Sequence, residues 1–401
     1  MHAIADTKTL VEESVITADQ AREIEARARQ TMVALAINAV LTAGIIAATG
    51  GFILWLADPL SVAVLGSLML IGGVVILGLR TQTLRMFGNA AALIGAGMLI
   101  GGAAVELIQN HDDIAGWTML VVGLAIVLAL VPAYLRNWLS NHFVAGSILL
   151  MGLALHVTGL FLLVALNEVI GPTKSLAYLY AAAGIGLAGW FVDVRLVTAL
   201  AIVPFAQALE AGTGYFHAAY VFYSSETTLS ILQMGLLIGA VLWVASRWPE
   251  RVARHARVLA VMAFIVANLC ALVGSLFGDV VGETLFGPLY HGRPDGMSWG
   301  DWRDMIEEYR QTAFTIPEHA YSILWAVALA AMIGWAAFKA NRGLFNVALT
   351  FAAIHAYTQL FETFGDEPLA YVTGGLVAIP LAWAMWRLDH WLTGNAPRTR
   401  P

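Results

Sequence analysis

The sequence predicts an all-α protein, a polytopic transmembrane helix bundle of about 12 spans (range 10–12), with N- and C-termini cytoplasmic. Three observations carry that expectation. Of 401 residues, 59% are hydrophobic and 12% charged, against roughly 25% charged in soluble domains. The apolar residues gather into runs of about 20, the length that crosses a bilayer core of about 30 Å as a helix. Finally, 17 of the 21 Lys and Arg fall on one side if every run crosses the membrane. The runs are too long for strands and do not alternate, and in lipid only helices or closed barrels satisfy the backbone, so strands are excluded.

The elements follow in chain order. Residues 1–30 are a polar cytoplasmic segment in which Thr17 and Gln20 fit a capping box and Ile16, Ile24 and Ala28 line one face of a charged helix. The first apolar run exceeds a signal h-region, so insertion by the first span is expected. Residues 31–279 carry spans one to nine, near 32–57, 60–79, 86–108, 114–134, 143–166, 175–192, 194–210, 227–246 and 257–278. Only Asp193 and Arg195 separate the sixth from the seventh, and Pro204 interrupts the seventh, which sets the lower end of the range. Residues 280–317 are an extracytoplasmic loop. Within it Ser298 caps a helix with Asp301 three residues on; Trp299, Trp302, Ile306 and Tyr309 share a face opposite Asp304, Glu307, Glu308 and Arg310, the pattern of a helix lying flat at the interface. Residues 318–392 carry spans ten to twelve, near 319–338, 343–361 and 369–388, and 393–401 form a cytoplasmic tail.

On this topology the inner side carries +8 and the outer side −14 of the formal −6. Basic residues govern insertion, so the acidic excess asks for a separate explanation. Arg247, Arg251, Arg254 and Arg257 cluster on the inner side, where anchoring at anionic lipid headgroups is the plainer role than a phosphate site. The single cysteine, Cys270, lies inside a span, which excludes an intrachain disulfide and a thiolate metal cluster. Gly97-x-x-x-Gly101 and Gly235-x-x-x-Gly239 allow close helix approach.

Ionisable and amide side chains within spans are the candidate functional groups, because hydrocarbon rejects them unless they face protein or water. His355, Gln359 and Glu362 fall at i, i+4 and i+7 on one helix face. Gln207 and Glu210 follow Pro204, where a freed carbonyl permits a broken helix of the kind that builds substrate sites. His156 sits at comparable depth. Together these suggest an outward-facing acidic vestibule and a transport or proton-relay role. No His or Glu spacing fits a metal, no nucleotide-binding glycine loop is present, and the cofactor stays unassigned.

The segment "TLVEESVITADQAREIEARAR" leading into apolar spans, and the closing "NRGLFNVALTFAAIHAYTQLF" with "LAYVTGGLVAIPLAWAMWRLD", resemble the two ends of a group of uncharacterised bacterial multi-pass membrane proteins of unknown function. The resemblance implies a bacterial plasma (inner) membrane protein and transfers no site residue. The outer loop, with His291 and Arg293 in "YHGRPDG" and His319 in "PEHAY", is similar in layout to bacterial O-antigen ligases and polymerases. That likeness implies contact of these three residues with a lipid-linked donor. Three function classes follow: a small-molecule or ion permease, a non-catalytic scaffold or sensor subunit, and a membrane-embedded transferase. The expected partners are the lipid bilayer and a protein docking on the N-terminal helices or the 280–317 loop; no nucleic acid is expected.

Overall fold

The computed structural model describes residues 7–12, 14–29, 58–78, 82–136, 142–216, 219–339 and 341–364, together with isolated positions elsewhere. Among the described residues nine helices are long and apolar enough to cross a membrane, as expected of a multi-pass membrane protein. They coincide with nine of the twelve expected spans. The spans near 32–57 and 369–388 lie outside the described residues, as does the tail at 393–401.

The chain divides into two compact units, residues 1–169 and 170–401. The first opens with α1 (Thr7–Glu12) and a helical stretch over 18–29, α2. The capping box is formed: the Thr17 N–H donates to Gln20 Oε1 at 2.9 Å and the Gln20 N–H to Thr17 Oγ1 at 3.2 Å. Four long helices follow, α3 (Pro59–Gly78), α4 (Gln82–Asn110), α5 (Asp112–Leu135) and α6 (His142–Leu166). They pack in antiparallel pairs through small residues: a side chain added at Gly73 would strike the Ala92 backbone, and one at Gly123 would strike the His156 backbone. In lipid, such seams let backbones approach and supply the dispersion that apolar burial cannot.

The second unit begins with α7 (Gly171–Val192), and here the expected seventh span is corrected. It is two short helices, α8 (Arg195–Leu200) and α9 (Ile202–Gln207), followed by an antiparallel hairpin of β1 (Ala211–Phe216) and β2 (Ala219–Ser224). Pro204 has no N–H to give the Leu200 carbonyl, so the helix breaks one turn before it. The general exclusion of strands therefore fails at this hairpin, which lies between apolar helices rather than within one.

Next come α10 (Thr227–Arg247) and α11 (Glu250–Phe277). Arg251, Arg254 and Arg257 thus lie on the first turns of α11, not in a loop. Gly235 and Gly239, expected to support close approach, face open space among the described residues. The loop after α11 is folded. It contains β3 (Asp279–Val280), α12 (Glu283–Phe286), α13 (Pro288–His291), α14 (Trp299–Thr312) and β4 (Thr315–Ile316). Strands β3 and β4 pair antiparallel and close it. Gly278 turns into β3 with φ +70° while lying against the Ile316 carbonyl, a conformation and a space that only glycine meets. Ser298 caps α14 by accepting the Asp301 N–H at 3.1 Å, and Trp302 is buried whereas Trp299 is exposed. The unit continues with α15 (Glu318–Phe338) and α16 (Arg342–Phe364). Its core joins Ile202, Met234, Ala263 and Cys270, and a second cluster joins Ala271, Trp325, Leu329 and Phe351.

Candidate functional site

At the loop end of the second unit lie three buried carboxylates, two of which bond the backbone. Asp279, carried just past α11 by Gly278, accepts the Thr227 N–H on Oδ1 and the Thr228 N–H on Oδ2, each at 2.9 Å. Its Oδ2 also accepts the Thr228 hydroxyl at 2.5 Å and the Tyr321 hydroxyl at 2.9 Å. It therefore closes the free N–H groups of the first turn of α10 and ties that turn to α15. Glu226, the residue at the N-cap of α10, reaches the other way: its carboxylate accepts the Gly282 N–H at 2.8 Å and the Thr284 N–H at 2.9 Å, at the start of α12. Each segment thus caps the other. Glu283 is neutralised by Arg310 of α14 at 2.6 Å. The Tyr309 phenol stands above its ordinary pKa, held there by burial and by the charges of Glu226 and Glu283.

These contacts supply the explanation that the acidic excess required. Asp58 accepts the Ser61 N–H ahead of α3, Asp112 and Asp113 open α5, Asp301 opens α14, and Glu318 opens α15. Carboxylates at helix N-termini satisfy orphan N–H groups and oppose the positive end of the helix dipole. Part of the acidity thus caps helices, through Asp58, Asp279 and Glu226, and part stands at other helix starts. Glu226 was not singled out in the sequence; the signal available was its place in "SSETT" directly before an apolar run.

The opposite end of the unit holds a relay across three elements. His255 Nε2 lies 2.9 Å from Asp193 Oδ1 and its Nδ1 lies 2.6 Å from Thr198 Oγ1. A carboxylate only accepts, so Nε2–H donates to Asp193 and, in the neutral ring, Nδ1 accepts the Thr198 hydroxyl. Asp193 is held below the ordinary carboxylate range, chiefly by the His255 hydrogen bond and further by the charges of Arg251 and Arg254. The order Asp–His–Thr is that of a nucleophilic triad, but Thr198 is 2% exposed and packed against Gly189. No substrate reaches such a hydroxyl, so the group staples α7, α8 and α11 together. Arg251 donates to the Trp190 and Phe191 carbonyls at 2.9 and 2.8 Å, closing the end of α7. Arg254 lies 3.7 Å from Asp193, Arg257 pairs with Glu250 at 3.0 Å, and Arg247 lies over the Trp243 ring.

The transport candidates divide into three groups. His156 belongs to the first unit, with Nδ1 2.7 Å from the Leu120 carbonyl. Gln207 bonds the Tyr223 hydroxyl at 2.8 Å, and Glu210 pairs with Lys174 at 3.1 Å. On α16, His355 is buried with its ring 4.7 Å from Trp325, Gln359 is half-buried and Glu362 is exposed. His355 Nδ1 and Gln359 Nε2 are buried atoms with no hydrogen-bond partner among the described residues. Of the outer-loop candidates, His291 packs edge-on to Tyr290, Arg293 stacks on the exposed Trp299 at 4.6 Å, and the exposed His319 approaches Glu318 at 3.6 Å.

No family model, curated protein or solved structure matches this chain. Function is therefore argued from the site alone. Features open to a ligand among the described residues include the unpartnered nitrogens on α16 and a cavity of about 390 Å³ between α10, α11 and α15. Among the described residues no group of three or more His, Cys, Asp or Glu is placed to hold a metal ion.

Proposed function

We propose that this chain is a permease for a small molecule or an ion, coupled to protons through His355, Gln359 and Glu362. The observation that carries the reading is the pair of buried, unpartnered nitrogens on His355 and Gln359. In a membrane interior an unsatisfied polar group costs several kcal/mol, and no water is at hand to relieve it. Of the four buried side-chain atoms that have no hydrogen-bond partner among the described residues, on Gln233, Thr284, His355 and Gln359, these two share one helix face and keep hydrogen-bonding capacity for something that passes. Glu362 stands on the same helix face and is exposed, so a proton or polar substrate entering there meets Gln359 and then His355 along α16. An imidazole that can carry a proton on either nitrogen suits such a relay.

The arginine-bearing end of the second unit is assigned to the cytoplasm and the folded 280–317 loop to the outside, following the 17 of 21 basic residues on the inner side. On this reading the membrane is a bacterial inner membrane, and the remaining arginines lie near lipid headgroups. The test uses the full chain in vesicles loaded with the pH dye pyranine, with a potassium potential set by valinomycin. Protein-dependent proton flux is expected, abolished by His355→Ala and made less pH-dependent by Glu362→Gln, while both variants elute as the wild type does in detergent. Flux equal to that of protein-free vesicles, or unchanged in both variants, refutes the proposal.

A second reading, a scaffold subunit, draws on the N-terminal helices. Thr7 Oγ1 donates to Glu25 at 2.6 Å, joining α1 to α2, yet Val15 and Ile24 stay exposed. Deleting residues 1–28 and observing the loss of a co-purifying protein, with proton flux absent in the intact chain, selects this reading over the permease.

A further inference from the structure

We infer that the cleft between α10, α11 and α15 binds one hydrocarbon chain of a membrane lipid, with a hydroxyl or amide N–H of that lipid held at Thr228 and Tyr321. The walls of the cleft are helices of membrane-spanning length and apolarity, so the medium at its mouth is lipid. Along α15 it is lined by Tyr321, Leu324, Trp325, Ala328, Leu329 and Met332. These residues recur at intervals of three and four, so the groove runs parallel to the helix axis. From Tyr321 to Met332 the rise is about 16 Å at 1.5 Å per residue, half of a bilayer core of about 30 Å and so the depth of one leaflet. The volume of about 390 Å³ falls in the lower part of the range of about 300–1,000 Å³ for small-molecule sites. Leu324 and Ala328 are exposed at the rim, and Tyr321, Trp325 and Asn268 are buried.

The polar end sets the chemistry of the head. No Lys or Arg lines the cleft, so a phosphate finds no counter-charge inside it. Thr228 Oγ1 and Tyr321 Oη bond each other as well as Asp279 Oδ2, so their two protons are used within this group of three side chains. What these oxygens retain are acceptor lone pairs. Asn268, deeper in the cleft, is engaged on both atoms, its amide donating one hydrogen to the Phe264 carbonyl at 2.8 Å and its oxygen accepting the Trp325 indole N–H at 2.9 Å. At Thr228 and Tyr321 a lipid hydroxyl or amide N–H therefore fits, whereas an ester, which can only accept, finds no donor there. The site meets the polar stripe on α16 through Trp325, whose ring packs against His355, but its test requires no transport.

The test measures binding of radiolabelled oleyl alcohol to the purified full chain in dodecyl maltoside, with farnesol and methyl oleate as competitors. Saturable binding is expected, with methyl oleate competing at least tenfold more weakly because it has no hydrogen to donate. Farnesol competing as well as unlabelled oleyl alcohol assigns an isoprenoid chain, and its failure assigns an acyl chain. Ala267→Phe, which fills the groove, abolishes binding, and Leu236→Phe on the exposed face of α10 leaves it intact. Should Ala267→Phe not fold, Tyr321→Phe is expected to erase the preference for the alcohol over the ester. A benzophenone side chain in place of Leu324 is expected to capture lipid. Uptake no greater than in empty micelles, equal competition by the ester, equal effects of the two filling variants, or capture of another segment or a second copy of the chain overturns the inference.

Discussion

Replacing Asp279 by alanine removes the acceptor shared by two backbone N–H groups and two hydroxyls at the start of α10. The loss of a helix cap costs about 1 kcal/mol. Stranding buried donors that had a charged partner adds about 1–3 kcal/mol, because Asp279 is 8% exposed and water cannot replace the carboxylate in full. The hydroxyls of Thr228 and Tyr321 already bond each other and keep that bond in the variant, which limits the loss, so the expected destabilisation is about 3 kcal/mol. Asp279→Asn keeps one acceptor oxygen and is expected to cost about half as much. Stability is read from reversible unfolding by dodecyl sulfate in mixed micelles, followed by tryptophan fluorescence, and hydrogen exchange at residues 227 and 228 reports the cap directly. A change below about 0.5 kcal/mol in both variants, the level of an ordinary surface substitution, refutes the account, as does wild-type exchange at those two amides.

Three further outcomes are expected. Gly189→Ala forces a methyl against the Thr198 backbone and hydroxyl and should cost about 1–3 kcal/mol as overpacking; Gly235→Ala, with open space around it, should be neutral or stabilise by about 0.5–1 kcal/mol through helix propensity. The same unfolding assay separates the two. The depressed Asp193 carboxyl contributes stability that is complete above the ordinary carboxylate value of about 4 and is lost as the pH falls through its lower folded value, so acid destabilisation there should flatten in Asp193→Asn. Arg310→Met leaves Glu283 buried without its counter-charge and should cost about 1–2 kcal/mol, discounted because Arg310 is half exposed, with faster exchange over 283–286 as the check.

Local features were legible in the sequence because their causes are local. The Thr17–Gln20 and Ser298–Asp301 caps, the nine long helices and the weakness of the seventh span near Pro204 all follow from spacing and backbone chemistry within a few residues. The hairpin at 211–224 was not legible, since the expected spans stop at 210 and resume at 227 and the short stretch between them has no expected element of its own. The candidate site was legible only in parts. His355, Gln359 and Glu362 share a face by helical arithmetic, but that Gln207 and Glu210 are closed by Tyr223 and Lys174 depends on residues 16 and 36 positions away.

The sequence by itself determined the apolar character of this protein, the place and length of the nine long apolar helices, and the clustering of its basic residues. Those are sums over residues: transfer free energies, run lengths and counts of arginine. Only the tertiary structure decided which polar groups are already satisfied. Glu226 and Asp279 read alike as acids near span ends, and it took the folded loop to show each capping the other's segment, while His355 and Gln359 keep nitrogens with no partner among the described residues. A hydrogen bond is directional and lasts about 3 Å, so its partner is set by packing rather than by composition.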